Sequence, residues 1–308
     1  MKKLGFGCMR LPLTNPEDPT SVDLEQFCEM IDTFIDNGFT YFDTAYPYHQ
    51  KQSELFVKKA LVERYPRNSF TLADKLPVPF MKVKEDAKRI FDEQLDKCGV
   101  EYFDYYLLHS LNRNHYQTAL KFGCFDFIKK MKEEGKIKEI GFSFHDTADI
   151  LDQILTEHPE MDFVQLQINY LDWNSESVQS KLCYETAVKH GKQVVIMEPV
   201  KGGMLANPPK NSNLTADASL ALRFCGELDG VLAILSEMSN LTQVKQNIES
   251  MKDFQPLSNE EKAYIEKLTV AYKQGGPLGN IGFNQYKDVK PHGISLASLL
   301  ETYNSCMI

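Results

Sequence analysis

The sequence has no apolar run long enough to cross a membrane, and its N-terminus lacks the apolar core of a signal peptide. It also lacks an excess of positive charge, because 43 acidic residues outnumber 34 basic ones and give a formal net charge of -9. This charge argues against nucleic acid as a partner, although it leaves room for a local basic pocket that binds an anionic ligand. These absences predict a cytoplasmic protein that binds neither membranes nor nucleic acid.

Cysteine is present but is not arranged for disulfides or for metal. The seven cysteines are scattered, their number is odd, and no two form a Cys-x-x-Cys pair. Reduced, mostly buried thiols are therefore expected, and no metal site is predicted. Glycine is lacking at one informative place, because Gly5-x-Gly7-x-x-Arg10 has no third glycine and no helical pattern follows it directly. A Rossmann dinucleotide fold is disfavoured for this reason.

What the sequence does contain is a regular alternation of short apolar runs and segments with helical spacing. Eight strand-like runs are each followed by a helical pattern, which predicts an α/β fold, a (β/α)8 TIM barrel over residues 1–255. Residues 256–308 are expected to form a C-terminal helical extension packed on the barrel. The predicted strands are 4–11, 39–43, 70–75, 103–109, 137–143, 163–167, 193–197 and 231–235. The predicted helices are 23–36, 53–63, 83–97, 117–133, 148–155, 176–189, 217–225 and 241–251, with 259–272 and 295–303 in the extension around a Gly/Pro-rich loop at 277–282.

Titratable side chains stand at the ends of three successive strand-like runs. Asp43 ends one run and is followed across a turn by Tyr48, while Lys75 and His109 end the next two runs. In a parallel barrel these ends meet at one face, so the four side chains could converge there. Taken singly, each has an ordinary explanation as a loop aromatic, a helix cap, an exposed amine or a structural histidine. Their order and their shared position together favour a functional site.

These residues resemble the aldo-keto reductase superfamily, whose tetrad is Asp, Tyr, Lys and His in that chain order. The resemblance extends over nearly the whole chain, through Leu4-Gly-Phe-Gly-Cys-Met-Arg10, Asp43-Thr-Ala-x-x-Tyr48, Gly135-Lys-Ile-Lys-Glu-Ile-Gly-Phe-Ser143, Val164-Gln-Leu-Gln-Ile-Asn-Tyr170 and Met197-Glu-Pro-Val-Lys-Gly-Gly203. It implies an enzyme that reduces a small-molecule aldehyde or ketone with hydride from a nicotinamide cofactor. In that chemistry Tyr48 donates the proton, Lys75 and Asp43 tune its acidity, and a neutral His109 orients the carbonyl.

The same resemblance implies NADP as the cofactor, with NAD as the alternative. Two departures at the adenosine end bear on this choice: Glu237 stands where a glycine or a cation is common, and Gln243 stands where an arginine often meets the 2′-phosphate. Met197 occupies a place where many members stack an aromatic ring on the nicotinamide, so a thioether contact is expected instead. The implied cofactor-binding residues are Gly7, Met9, Asp43, Ser143, Gln165, Met197, Pro199, Gly203, Ser236, Met238, Gln243 and Asn247.

The tail from Lys290 to Asn304 resembles a bacterial subgroup that carries a ferredoxin-like iron–sulfur segment after the barrel. Such a cluster needs four thiolates, and Cys306 is the one cysteine after residue 256, so no cluster is predicted. Either the cluster was lost or its residues are missing between Gln274 and Lys290.

Two other functions are compatible with the sequence. One is a nucleotide-binding regulatory or scaffold subunit with little turnover, and the other is an aldolase-like barrel that uses Lys75 as a Schiff-base amine. The sequence determines neither the substrate, which depends on loops such as 112–123 and 172–177, nor the oligomeric state.

Overall fold

The computed structural model describes residues 2–210 and 212–274, together with Leu296 and Leu299. Eight parallel strands, each hydrogen-bonded to the next and the eighth to the first, form a closed barrel in chain order. The predicted TIM barrel is therefore confirmed. The strands are β1 Leu4–Gly7, β2 Tyr41–Asp43, β3 Thr71–Leu76, β4 Phe103–Leu111, β5 Ile137–Phe144, β6 Phe163–Gln167, β7 Gln193–Met197 and β8 Val231–Glu237.

Helices surround the barrel and cover the outward-facing side chains of its strands with one large apolar core. The helices are α1 Leu24–Asp36, α2 Ser53–Val57, α3 Asp86–Cys98, α4 Arg113–Phe122, α5 Cys124–Glu133, α6 Ala148–Glu157, α7 Ser180–Lys189, α8 Ala218–Gly226, α9 Leu241–Lys252 and α10 Asn259–Gln274. None of the helices in the described residues is long and apolar enough to cross a membrane.

The barrel interior is filled by side chains rather than left open. Its inner cluster takes residues from six of the strands, with aromatic rings packed against small and branched side chains, as a barrel of this size demands. The members are Tyr41, Ala73, Leu107, Phe163, Val195, Ala233 and Leu235. Because this cluster closes the barrel axis, the open space for chemistry lies at the ends of the strands.

Several predicted elements differ from the structure in their limits. The first strand, expected over 4–11, ends at Gly7, and three helices differ in how they begin, end or divide. The helix expected over 117–133 is two helices, α4 and α5, because Gly123 adopts a left-handed φ of +66° and ends α4. The helix expected over 176–189 begins only at Ser180, after a turn region. The helix expected over 53–63 starts as α2 and continues over Lys58–Val62 with the wider hydrogen-bonding pattern of a π-helix.

The helix after the barrel, α10, packs against α8 and the loops that follow β6 and β7. Its residues Ile265, Leu268 and Tyr272 share a buried cluster with barrel residues such as Leu205 and Ala221. Arg223 on α8 also forms a bidentate ion pair with Glu261 on α10, at 2.6 and 2.8 Å. The division into units 1–255 and 256–308 stays a prediction. The expected loop 277–282 lies outside the described residues, as does the expected helix 295–303 apart from Leu296 and Leu299.

Candidate active site

The C-terminal face of the barrel brings the predicted tetrad together. Asp43 is the last residue of β2, Lys75 lies near the end of β3, His109 lies near the end of β4, and Tyr48 follows β2 in a short turn. Asp43 and Lys75 are each only 1% exposed. Two opposite charges are thus held inside the mouth of the barrel, where a buried charge persists only with close partners.

The Lys75 ammonium is the centre of this group. It donates a hydrogen bond to Asp43 Oδ1, a second of 2.8 Å to the Thr44 carbonyl, and a third of 3.4 Å to the Tyr48 hydroxyl. One side chain therefore links the acid, the backbone and the phenol. The distance from the Lys75 ammonium to the Tyr48 hydroxyl is at the long end of the range for a hydrogen bond.

The electrostatics of the pair follow from burial and proximity. Burial alone would lower the pKa of Lys75, but the adjacent Asp43 carboxylate and the Tyr48 hydroxyl raise it above its ordinary value, so the amine stays an ammonium. Burial raises the pKa of Tyr48 and outweighs the lowering effect of Lys75. The phenol therefore keeps its proton at neutral pH and gives it up only to a stronger base.

His109 faces the same space. Its ring lies 6.0 Å from that of Tyr48, centroid to centroid, with the planes at 82°. Desolvation, and then the charge of Lys75, hold the pKa of His109 well below its ordinary value, so the imidazole is neutral. The chain just beyond it is fixed, because Ser110 N donates to Ser143 Oγ at 2.8 Å and the Ser110 carbonyl lies 2.6 Å from His115 Nδ1.

Ser143 and Gln165 lie side by side next to the tetrad. They are paired in register across β5 and β6, and both are almost fully buried. The Gln165 amide donates weakly to Asp43 Oδ2 at 3.5 Å, so the predicted cofactor residues and the predicted catalytic residues touch.

The loop after β7 has an unusual backbone. Glu198 and Lys201 have left-handed φ values of 56° and 48°, and Gly202 and Gly203 have φ values of 63° and 95°. Met197 and Pro199, both predicted cofactor residues, lie in this stretch. Left-handed conformations cost energy in residues other than glycine, so the loop must be held by its surroundings.

A buried polar cluster provides that hold. The Lys201 ammonium contacts both carboxylate oxygens of Asp172, at 2.7 and 2.8 Å. The Asn169 amide donates to Asp172 Oδ2 at 2.9 Å and to the Glu198 carbonyl at 3.1 Å, and Gln167 also donates to Asp172 at 3.0 Å. The loop after β7 is therefore tied to the loop after β6.

The end of β8 and the start of α9 gather the remaining predicted residues. Asn247 on α9 donates to Ser236 Oγ at 2.8 Å, and Gln243 Oε1 accepts from Ser239 N at 2.7 Å. A cavity of about 720 Å³ lies beside them and includes Gly203 in its lining. Met238 is fully buried and packs in the apolar core.

Glu237 lies closer to the tetrad than its expected role at the adenosine end implies. Its carboxylate accepts a hydrogen bond of 2.9 Å from Met9 N, and Gly7 leaves the space that this carboxylate fills. A Cβ at Gly7 would lie 2.5 Å from Glu237 Oε1, which no side chain could tolerate without displacing it. Desolvation and the charge of Asp43 raise the pKa of Glu237 to about 7.

Two further residues were missed in the sequence because their partners lie far along the chain. His49, directly after Tyr48, has its Nδ1 2.6 Å from the Pro19 carbonyl and accepts from Leu11 N through Nε2 at 3.2 Å. Arg10 places a guanidinium nitrogen 3.2 Å from where a Cβ on Gly202 would lie. Arg10 ends one of the motifs already quoted and His49 directly follows another, and that proximity was the one signal the sequence offered.

Comparison with known proteins agrees with this geometry. The sequence model of the Aldo/keto reductase family matches residues 3–217, from β1 to the residue before α8. The chain belongs to this family. The match contains all four tetrad residues, whereas Ser236, Met238, Gln243 and Asn247 lie beyond it.

Other aldo/keto reductases resemble the chain over most of its length. A probable aldo-keto reductase 1 of Glycine max is 30% identical over 233 residues, which are 70% of this chain and 62% of the soybean protein, so less than two thirds of that relative is spanned. An aldo-keto reductase of Mycobacterium avium is 25% identical over 262 residues, 81% of this chain and 80% of that protein.

Solved structures share the fold. The holo form of an aldo-keto reductase from Bacillus halodurans superposes with a TM-score of 0.68 at 24% identity, covering 86% of this chain and 91% of that one. An aldo-keto reductase from Klebsiella pneumoniae, solved in complex with NADPH, gives a TM-score of 0.68 at 22% identity and covers 87% and 90% of the two chains.

Proposed function

We propose that this protein reduces the carbonyl group of a small aldehyde or ketone to an alcohol, with a nicotinamide cofactor as the reductant and Tyr48 as the proton donor. The observation that carries the proposal is the chain of contacts from Asp43 through the Lys75 ammonium to the Tyr48 hydroxyl, 3.4 Å away, inside the barrel mouth. Nothing in an ordinary barrel core needs a buried ammonium aimed at a phenol.

The residues around the tetrad fit a dinucleotide. Ser143 and Gln165 offer a hydroxyl and an amide beside the reaction centre, and Gly202 and Gly203 expose backbone where a phosphate approaches closely. The cavity of about 720 Å³ beyond Gly203 provides room for a nucleoside. The residues that would hold the cofactor are Gly7, Met9, Asp43, Ser143, Gln165, Met197, Pro199, Gly203, Ser236, Gln243 and Asn247, with Met238 shaping the core beneath them.

When bound, a reduced nicotinamide supplies the hydride. Negative charge then develops on the carbonyl oxygen, and the Tyr48 O–H bond breaks as its proton moves to that oxygen. The Lys75 ammonium stabilises the phenolate that remains, and Asp43 keeps Lys75 charged and in place. The neutral His109 donates a hydrogen bond to the carbonyl oxygen and so sets the orientation of the substrate.

The protonation state of Lys75 argues against the aldolase-like alternative. A Schiff base forms from a neutral amine, usually one whose pKa has been lowered by desolvation or by another cation. Here Asp43 and Tyr48 raise the pKa of Lys75 instead. Lys75 is therefore better suited to hold charge beside the phenol than to attack a carbonyl carbon.

We propose NADP or NAD as the cofactor, because a relative of the same fold was solved in complex with NADPH and both dinucleotides carry the same nicotinamide. We also propose a small-molecule substrate and a cytoplasmic location. The likeness of the tail to the iron–sulfur subgroup stays a prediction, since residues 290–304 lie outside those described apart from Leu296 and Leu299.

The decisive experiment is the Tyr48→Phe variant assayed against a panel of aldehydes and ketones. Loss of the general acid should lower kcat by roughly 10²- to 10⁴-fold. Nucleotide binding, followed by fluorescence quenching, should stay within a few fold of the parent. A rate close to the parent's would rule out Tyr48 as the proton donor.

Tyr46→Phe is the matched control for this experiment. It makes the same chemical change two residues away, where the Tyr46 hydroxyl contacts Glu93 at 3.3 Å instead of Lys75. Near-parental turnover is expected for this variant. An equal loss in both variants would indicate damage to the loop after β2 rather than loss of a proton donor.

A further inference from the structure

The wall of the cavity beside β8 is unusual in the sign of its charges. Three ionisable side chains line it, Asp217, Glu237 and Glu249, and all three are acids. Among the described residues that line this cavity there is no lysine or arginine. The other polar side chains in its lining carry neutral amides or hydroxyls: Asn207, Ser219, Ser236, Gln243, Gln246, Asn247 and Ser250.

The backbone at this wall offers little extra attraction for an anion. The Gln243 N–H already donates to the Asn240 side chain at 2.9 Å, and the Ser239 N–H donates to Gln243 Oε1 at 2.7 Å. Two amides near the start of α9 are therefore satisfied by neutral side chains. A phosphate group on this wall would meet acids and occupied amides.

The other end of the predicted cofactor path has the opposite character. The Arg10 guanidinium lies beside Gly202, where the glycine-rich turn leaves the backbone open. Within the described part of the chain Arg10 forms no ion pair. The proposed cofactor site thus has a cation, Arg10, at the glycine-rich turn where a pyrophosphate would lie. The described lining of the cavity beside β8 has none.

From this contrast we infer that the site selects NAD(H) over NADP(H), an inference that rests on the proposed function. The two cofactors differ only at the adenosine ribose, which carries a hydroxyl in NAD and a phosphate in NADP. A neutral wall of amides and hydroxyls matches the hydroxyl, and a carboxylate can accept a hydrogen bond from it. A phosphate monoester carries about -1.5 to -2 charges near pH 7 and needs arginine or lysine in this place.

The test is a fluorescence titration of the full chain with NADH and with NADPH under the same buffer conditions. We expect NADH to bind at least tenfold more tightly. Equal or tighter binding of NADPH would overturn the inference and leave the proposed function standing. Binding of neither nucleotide would overturn the proposed function itself, so the two failures can be told apart.

Charge substitutions on α9 make the test specific to the wall. Gln243→Arg places a cation in the cavity and should raise the affinity for NADPH at least tenfold, with a gain that shrinks as salt is added. Glu249→Gln removes a negative charge and leaves the contact between Ser239 and Gln243 in place. It should also raise the affinity for NADPH relative to that for NADH, by a smaller factor than Gln243→Arg does.

Thr242→Arg is the control, because it adds the same charge to the same helix at a residue that does not line the cavity. Its affinity for NADPH relative to that for NADH should match the parent's. If all three variants leave that ratio unchanged, the wall does not contact the ribose and the inference fails.

Discussion

Lys75 carries a charge into the mouth of the barrel, and its oxygen acceptors explain why it can stay there. Asp43 supplies the counter-charge, the Thr44 carbonyl accepts a hydrogen bond of 2.8 Å, and the hydroxyl of Tyr48 accepts a third. Removing one partner of a buried ion pair leaves an uncompensated charge, at a cost of about 3–5 kcal/mol. The buried ammonium is stable only while all of its partners are in place, and so costly an arrangement favours a role in function over one in packing.

Glu237 allows a prediction about pH at the residue scale. Its pKa is raised to about 7 by desolvation and by Asp43, so it gains negative charge between pH 6 and 8. That charge should weaken the binding of an anionic nucleotide by on the order of 1 kcal/mol, or roughly fivefold. We expect the Kd of NADH to rise by this factor from pH 6 to pH 8 in the parent and to stay nearly constant in Glu237→Gln.

NADH is the suitable probe because its pyrophosphate does not titrate in this range, unlike the 2′-phosphate of NADPH. The other groups that face Glu237 hold their charge state: Lys75 stays an ammonium and Tyr48 stays a neutral phenol. Glutamine keeps an oxygen that can accept from Met9 N, so the local structure is preserved. Parallel pH dependence in both proteins would show that another group is responsible.

At the scale of elements, the turn that carries Tyr48 has an energetically unfavourable backbone conformation. His49, Gln50 and Lys51 all have left-handed φ values, of 48°, 52° and 70°. Each costs about 1 kcal/mol or more in a residue other than glycine. His49 stabilises the turn by bonding to the Pro19 carbonyl and to Leu11 N, and this requires a neutral ring with its proton on Nδ1.

We predict that His49→Ala lowers kcat by roughly ten- to hundredfold, because a tyrosine displaced by about an ångström no longer meets the substrate oxygen. Loss of two hydrogen bonds should also lower the free energy of unfolding by about 1–3 kcal/mol. Steady-state kinetics and denaturant unfolding would measure the two effects. KM for the nucleotide should change far less than kcat.

His49→Gln serves as the conservative counterpart, since its amide offers one donor and one acceptor. Recovery of most of the lost kcat in this variant would assign the effect to positioning. If Gln and Ala lower kcat equally, the imidazole has another role. If neither variant changes kcat, the turn does not depend on His49.

Element positions were largely predictable, and element limits were not. The alternation of apolar runs and helical spacing is a property of local sequence, so the order of strands and helices from β1 to α10 could be read from it. The break between α4 and α5 could not, because Gly123 in a helical pattern reads either as a weak helix residue or as a cap. Only the packing of the following helix, α5, determines whether Gly123 continues a helix or ends one.

At the scale of the whole molecule, stability should fall as pH rises because of Asp74. This residue is fully buried on β3, and its side chain accepts from Lys75 N at 2.8 Å. Burial, and then the nearby Glu54, raise the pKa of Asp74 well above its ordinary value. The folded state therefore holds a proton that the unfolded chain releases near pH 4, and folding loses stability as pH climbs toward the folded-state pKa.

Asp74→Asn should remove this penalty. We predict that the variant is more stable than the parent by about 1–2 kcal/mol at pH 8 and nearly equal to it near pH 4. Chemical denaturation at the two pH values would measure the difference. A variant less stable than the parent at pH 8 would mean that Asp74 is charged and favourably paired.

On the neighbouring strand β4, Asp104→Asn should change stability in the opposite direction. Its carboxylate contacts Arg67 and Lys138, both at 2.7 Å, so it has cations that Asp74 lacks at comparable distance. Its replacement should destabilise the protein at neutral pH. Two buried aspartates on adjacent strands would thus respond with opposite signs.

The convergence of the tetrad could be predicted because three of its members stand at or near strand ends, Tyr48 follows one of those ends by a short turn, and all four match motifs in chain order. The supporting residues could not. Asp172 and Lys201 are 29 positions apart and meet only because β6 and β7 are neighbours in a closed barrel. The contacts of Glu237 could not be predicted for the same reason, since only the register of β1 against β8 sets its carboxylate beside Gly7 and Met9.

The last described helix reaches the far side of the loop that follows β7. The Tyr272 hydroxyl donates to the Asn207 carbonyl at 2.5 Å and lies 3.3 Å from that of Met204, behind the glycine-rich turn. Outward movement of this loop would have to break the hydrogen bonds of the Tyr272 hydroxyl. We therefore expect the packing of α10 to limit how far the loop after β7 can open, although no residue of that helix lines the cavity.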